Sequence, residues 1–445
     1  MGEDNKKASI IECSLNYSLK DKTGEEIESG KATTQISKEK LSLTTDFGDS
    51  MFISLRDILR FAEGEYRIHL SLNSKQKLTL FNLGYRYDDF LRVLVKLHNE
   101  LIMKDMLMEE SIRKSGVETA FEHLDEVGIV LLKGKGELRL YDTAIVLLPY
   151  RAEPIRIPYS LLSGVSEEDY TLVLNTESGE KIILSKLGKE FDPVKDNLSK
   201  IMNELSLKVQ SSLKELIPDA DPSIIRRLSR FMKEGKAAKR SDIESVSPKL
   251  WGELEKHLEL AGIKEEYNSL KSLSQQEKLC IGLKRGLLGD LTGEYIWFLI
   301  PIYNTNPKEP GNAVAMEATG EEGKGKATYF FRITSRKDYP ALEDLEELHK
   351  KTDSFIKEIN YCMLAINFRR APIYLPEEQL SEARYQKYIF AINRIPSLQT
   401  LRNHFIGRVI HYNPSQWKED VMDLLKFNVV ARDDKLRWKK SKNQG

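Results

Sequence analysis

Cysteine is scarce in this chain. There are three in 445 residues, Cys13, Cys280 and Cys362, far apart and with no C-x-x-C pair. That spacing argues against a disulfide scaffold or a cysteine-based zinc site and fits a reducing compartment. Long apolar runs are missing too: the longest, "YIWFLIPIY" from Tyr295 to Tyr303, is half of what a membrane-spanning helix needs. Neither sign of charge is in excess, with 68 Lys plus Arg against 68 Asp plus Glu. Affinity for nucleic acid or a membrane surface would therefore have to come from a local patch. The opening "MGEDNKKASI" has no apolar core for a signal peptide, and Lys6 stands where a myristoylation motif wants Ser or Thr. A cytoplasmic protein without a transmembrane segment is the expectation.

Chemical motifs are equally sparse. The seven histidines form no H-E-x-x-H, and His404 and His411 lie seven apart with no carboxylate beside them in sequence. The acidic "EDLEELHKKTD" reads as a solvated helix face, and no G-x-S-x-G, Cys/His pair or dinucleotide fingerprint stands out. One near-match exists: "GEEGKGK", Gly320 to Lys326, has the G-x-x-x-x-G-K spacing of a phosphate loop. A phosphate loop needs Ser or Thr next and then a helix, whereas Ala327 follows and "TYFFRI" reads as a strand. The stretch is expected to be a hairpin loop. No metal, cofactor or catalytic activity is expected.

What the chain does have is an internal repeat. Residues 53–101 laid over 157–205, a shift of 104 without a gap, match at 15 of 49 positions. Average amino-acid usage would give roughly three. The matches include Tyr66/Tyr170, Lys77/Lys181, Leu83/Leu187, Gly84/Gly188 and Asp88/Asp192, and they end in "NEL" in both copies. In each copy alternating strands ("YRIHLSL" with "KLTLFNL", "YTLVLNT" with "KIILSKL") precede a helical stripe. The stripe is Phe90, Leu91, Leu94, Val95 and Leu101 in the first copy, and Val194, Leu198, Ile201, Met202 and Leu205 in the second. The glycine is expected to end the last strand, and Asp88 or Asp192 to cap the helix.

Two copies of about a hundred residues, each of antiparallel strands closed by one C-terminal helix, resemble the pleckstrin-homology-like superfamily. The resemblance covers about residues 10–210 and rests on element order, length and duplication. It implies small bent β-barrels that present an edge strand or groove to peptides. Tandem pairs of this kind in the FACT histone chaperone bind protein partners. Lipid binding in the superfamily usually needs basic side chains in an early loop. Here Lys20, Lys22 and Lys31 are offset by Asp21, Glu25, Glu26 and Glu28, and the second copy offers only Lys133 and Lys135. Specific lipid binding is not expected.

The expected fold class is α+β: one copy in 1–112, the second in 113–215, then a basic helical insert in 216–272. A third α+β domain follows in 273–372, strands then helix, either a divergent third pleckstrin-homology-like copy without an alignable match or an unrelated domain. Residues 373–428 read as helical and 429–445 as a basic, disordered tail. In the insert, Asp221 is placed to cap a helix with Pro222 at its first position, and Gly235 to stop it. "SDIE", Ser241 to Glu244, has capping-box spacing. From Pro222 to Arg240 there are seven cations, Arg226, Arg227, Arg230, Lys233, Lys236, Lys239 and Arg240, against the single acid Glu234. These are the candidate partner- or nucleic-acid-binding residues. The leading expectation is a non-enzymatic multidomain scaffold for protein partners. A nucleic-acid-associated factor using the basic insert and tail comes second, and an enzyme with an unrecognised site in 273–426 third.

Overall fold

A computed structural model describes residues 10–106, 110–261, 263–284, 295–306, 308–318, 327–339, 344–380 and 382–430. It is a mixed α+β chain that divides into two units, residues 1–197 and 198–445. Gly320–Lys326 and the tail from residue 431 lie outside the described residues.

The first unit opens with seven strands: β1 (Ile11–Lys20), β2 (Glu26–Ile36), β3 (Lys40–Thr45), β4 (Ser50–Ser54), β5 (Ile58–Gly64), β6 (Arg67–Leu72) and β7 (Lys77–Phe81). Helix α1 (Tyr87–Asp105) follows. The sheet order is β4-β3-β2-β1-β7-β6-β5, so β1 pairs antiparallel with both β2 and β7 and the sheet curls around it. Alternation decides what faces inward: Leu15, Tyr17 and Leu19 of β1, Ile68 and Leu70 of β6, and Leu78 and Leu80 of β7 are buried. The α1 stripe of Phe90, Leu91, Leu94, Val95 and Leu101 joins that core.

The plan then recurs in β8 (Ile112–Leu124), β9 (Val130–Tyr141), β10 (Ala144–Pro149), β11 (Ile155–Pro158), β12 (Leu162–Glu168), β13 (Thr171–Thr176) and β14 (Lys181–Ser185). Their order is β11-β10-β9-β8-β14-β13-β12, and α2 (Phe191–Leu216) follows. From β5 to the start of α1, every element boundary reappears 104 residues later. The backbone repeats as well: Glu65 and Tyr66 turn β5 into β6 with φ of 51° and 56°, and Asp169 and Tyr170 do the same at 43° and 57°. Two consecutive positive φ values in a two-residue loop form a turn whose twist matches its strands. Gly84 and Gly188, at φ 56° and 55°, open a short 3-10 turn before each helix rather than ending the strand. Asp88 and Asp192 consequently lie inside the first helical turn, and no side chain caps α1. There they face the positive end of the helix dipole.

The two copies are docked on each other. Asn99 Nδ2 of α1 donates to the carbonyl of Ala152 at 2.9 Å, and Glu100 accepts both terminal nitrogens of Arg139 on β9 at 2.6 and 3.1 Å. Met103 packs with Tyr141, Val146 and Leu148 of the second copy. Arg151 bridges Glu63 and Asp88 of the first.

In the second unit α3 (Pro222–Leu228), β15 (Ala237–Lys239), α4 (Arg240–Val246), α5 (Leu250–Ala261) and α6 (Lys264–Ser272) precede β16 (Cys280–Lys284), β17 (Tyr295–Ile302), β18 (Ala313–Ala318) and β19 (Ala327–Arg332). Then come α7 (Leu345–Ala365), α8 (Ala371–Tyr374), α9 (Glu377–Leu380), α10 (Gln386–Arg394), α11 (Pro396–His404), β20 (Phe405–Ile410) and α12 (Pro414–Val430). The six strands form one antiparallel sheet in sequence order. It therefore takes β15 from the stretch expected to be a helical insert and β20 from the region expected to be helical throughout. β18 and β19 pair antiparallel on either side of the Gly-Lys stretch. Both faces of the sheet are covered: Phe298 and Phe330 join the core with Trp251, Tyr267 and Trp417, while on the other face Phe331 meets Phe355 of α7. Strands buried on both faces read as continuous apolar runs, as "YIWFLIPIY" does.

Candidate functional site

The basic stretch is built from a short helix. Asp221 caps α3, its side chain accepting from Ser223 N at 2.8 Å, with Pro222 at the first position as expected. The helix stops at Leu228, short of Gly235, and the chain continues in turns whose bonds include Met232 N to Leu228 O at 3.0 Å. Ile225, Leu228 and Met232 enter the core of the second unit, with Ile224 packed at its edge. That anchors one side and leaves Arg226, Arg227 and Arg230 exposed on the other.

The structure separates the seven cations. Arg226, Arg227 and Arg230 make no ion pair among the described residues. Lys233 and Lys236 are half-buried and already engaged in polar or ionic contacts. Lys239 Nζ lies 2.9 Å from Asp353 Oδ2, which Lys278 also reaches at 3.1 Å. Burial pushes the Asp353 carboxyl up, but the hydrogen bonds from Lys239 and Lys278 outweigh it and hold the group below the usual aspartate range. Arg240 Nε donates to Glu244 at 2.7 Å, and its guanidinium lies over the Trp251 ring. Three arginines thus remain fully open to a ligand, while Lys239 and Arg240 tie the fold. The expected capping box does not form: α4 begins at Arg240 with Lys239 as N-cap, so Ser241 lies inside the helix and Glu244 serves the arginine.

One polar constellation could not be seen in the sequence. His411 has carboxylates beside it after all: Glu317 Oε2 at 3.3 Å from Nε2 and Glu266 Oε1 at 3.7 Å from Nδ1. Thr328 Oγ1 donates to Glu317 at 2.6 Å and lies 2.8 Å from His411 Nε2, and Trp417 Nε1 donates to it at 3.3 Å. A hydroxyl has one proton; with that proton on Glu317, Thr328 must accept from a His411 Nε2–H. The members come from β18, β19, α6, α12 and the end of β20, separated by up to 151 residues, so only folding assembles them. Glu317 and Thr328 are fully buried, which makes this a structural tie rather than a surface site. Among the described residues no group of three or more His, Cys, Asp or Glu is arranged to hold a metal ion. No described helix is long and apolar enough to cross a membrane. In comparisons with known proteins, no family model and no curated protein matches the chain.

Proposed function

We propose that the chain is a non-enzymatic scaffold whose first unit holds two pleckstrin-homology-like domains that bind protein partners through an open sheet edge. The observation that carries this reading is the duplicated edge. The orders β4-β3-β2-β1-β7-β6-β5 and β11-β10-β9-β8-β14-β13-β12, each followed by a helix, leave β5 and β12 at equivalent edges. An edge strand offers unpaired backbone groups to an extended peptide. In β5 the turn pairs Gly64 with Arg67, so the next pair, Glu63 with Ile68, is non-hydrogen-bonded and the Glu63 N–H points away from β6. Glu167 holds the same place in β12. Proline at these positions removes the outward donor and no ladder bond. The Glu63–Arg151 and Glu167–Lys195 ion pairs go with it, so Glu63→Gln/Glu167→Gln, which loses the pairs and keeps the N–H, is the control that should retain the partners. The full chain, used as bait with nuclease added, should retain protein partners that the double variant Glu63→Pro/Glu167→Pro releases. Partners retained equally by both would sink the edge-strand reading.

A second reading rests on the three open arginines. If they contact phosphates of DNA or RNA, changing Arg226, Arg227, Arg230 and Lys233 to Gln should lower the log–log salt slope of binding by roughly three units. No binding by the parent at near-physiological salt would remove this reading.

A further inference from the structure

The strongest unexplained feature of the second unit lies on the sheet face opposite Trp417. After α7, Asn367 and Phe368 both take left-handed conformations, φ 48° and 62°, a region uncommon for a bulky residue such as Phe368. Phe368 is wedged edge-on against Trp297 with ring centroids 5.3 Å apart. The next two residues are Arg369 and Arg370. The Arg370 guanidinium sits 5.3 Å from the Tyr329 ring centre, and that of Arg408, which faces Tyr329 across the β19–β20 pairing, sits 4.1 Å from the Tyr374 ring. The two rings are 5.9 Å apart, so both guanidinium groups flank one aromatic pair.

Two facts make this more than a packed surface. Among the described residues no hydrogen-bond acceptor meets the buried Arg370 Nη1, and Arg370 makes no ion pair there. A buried charged donor without an acceptor is costly and calls for a partner. Tyr329 does not supply the missing charge: burial raises its hydroxyl against the pull of Arg370 and Arg408, so it is neutral at pH 7. A guanidinium held over a ring face keeps its charge beside the aromatic surface, and its N–H groups remain the donors that an anion would meet.

We propose that Arg370 and Arg408, with Tyr329 and Tyr374, form a binding site for a small phosphate monoester. The monoester fits because it carries −1.5 to −2 charges at pH 7 and three strong acceptor oxygens, enough for both guanidinium groups, where a carboxylate has one charge and two oxygens.

The test uses the full chain, with phenyl phosphate and inorganic phosphate as probes and chloride at matched ionic strength as control. Calorimetric titration should show phenyl phosphate binding at least as tightly as inorganic phosphate, and each should raise the melting temperature as its concentration passes the Kd. Arg370→Gln should weaken binding at least about tenfold, the loss expected for hydrogen bonds to a charged group. Arg226→Gln should leave it unchanged. If Arg370→Gln fails to fold, Arg408→Gln is expected to weaken binding in the same direction. The site is overturned if neither probe binds at about 10 mM, well above an ordinary metabolite Kd. Binding that survives the folded arginine variants also overturns it. Binding of inorganic phosphate alone overturns the monoester assignment.

Discussion

Several residues matter for what lies across from them rather than for what they are. Gly282 on β16 faces Trp297, and a Cβ there would fall 2.2 Å from the indole Nε1 and 3.0 Å from the Ala237 backbone. Gly282→Ala should therefore cost about 1–3 kcal/mol, read as a lower denaturant midpoint with unchanged slope. The sequence does not reveal this, because Trp297 is fifteen positions away on the next strand. The turn before β7 is more legible. Lys75 holds φ 67° where the second copy has Gly179 at φ 93°. The repeat itself thus points to the better residue. Lys75→Gly should relieve the left-handed strain and, after the added freedom of the unfolded chain, stabilise by up to about 1 kcal/mol. Gly179→Lys should move the melting temperature the other way.

Elements are legible in the sequence where local signals decide them and obscure where a distant partner does. Asp221 and Pro222 announce α3, but α1 begins without a side-chain cap because the 3-10 turn at Gly84 feeds directly into it. The end of α7 carries no glycine; Asn367 and Phe368 take the left-handed role under the pressure of Trp297. Glu255 of α5 shows the same limit. Its i,i+4 relation to Trp251 is visible in the sequence, whereas Tyr267 and Lys271 of α6 reach it only in the fold, all three donating at 2.7 Å. Burial pushes the Glu255 carboxyl up, but these donors prevail and hold it below the ordinary glutamate value of 4.5. The sign follows: a lowered folded pKa contributes stability that is fully present above 4.5 and is lost as pH falls through the lowered value. Glu255→Gln should be less stable than the parent at pH 7, with the gap closing as both are titrated into that acid range. A gap independent of pH would mean that the carboxylate charge does not tie α5 to α6.

At the scale of the whole molecule, the duplication is legible because it is gapless over 49 residues, and the third sheet only in part: β16 to β19 lie in the stretch expected to be strands, while β15 and β20 come from two others. β15 is three residues long, and its Ala237 N–H and carbonyl are met by the side chain of Asn360 from α7, a contact no local pattern announces. The junction between the copies was equally hidden, yet it decides whether the first unit behaves as one body. Asn99 and Glu100 sit in the repeated "NEL", so both copies carry the residues, but in the first copy they reach forward to the backbone beyond β10 and to Arg139. Arg139 is mostly buried and also holds Glu137 at 2.8 Å, so losing Glu100 leaves its charge only partly compensated. Asn99→Ala removes a buried amide and leaves the Ala152 carbonyl without that donor. The double variant Asn99→Ala/Glu100→Ala should cost about 2–4 kcal/mol, the sum expected for a lost buried hydrogen bond and a broken charge-assisted pair. Both cores keep their apolar contacts, so each copy should stay folded while the seam opens. Amide hydrogen exchange should then lose protection in the C-terminal half of α1 and in β9–β10, with β6, β7, β13 and β14 protected as before. Uniform loss of protection across both copies would show that the seam and the two cores form a single cooperative unit.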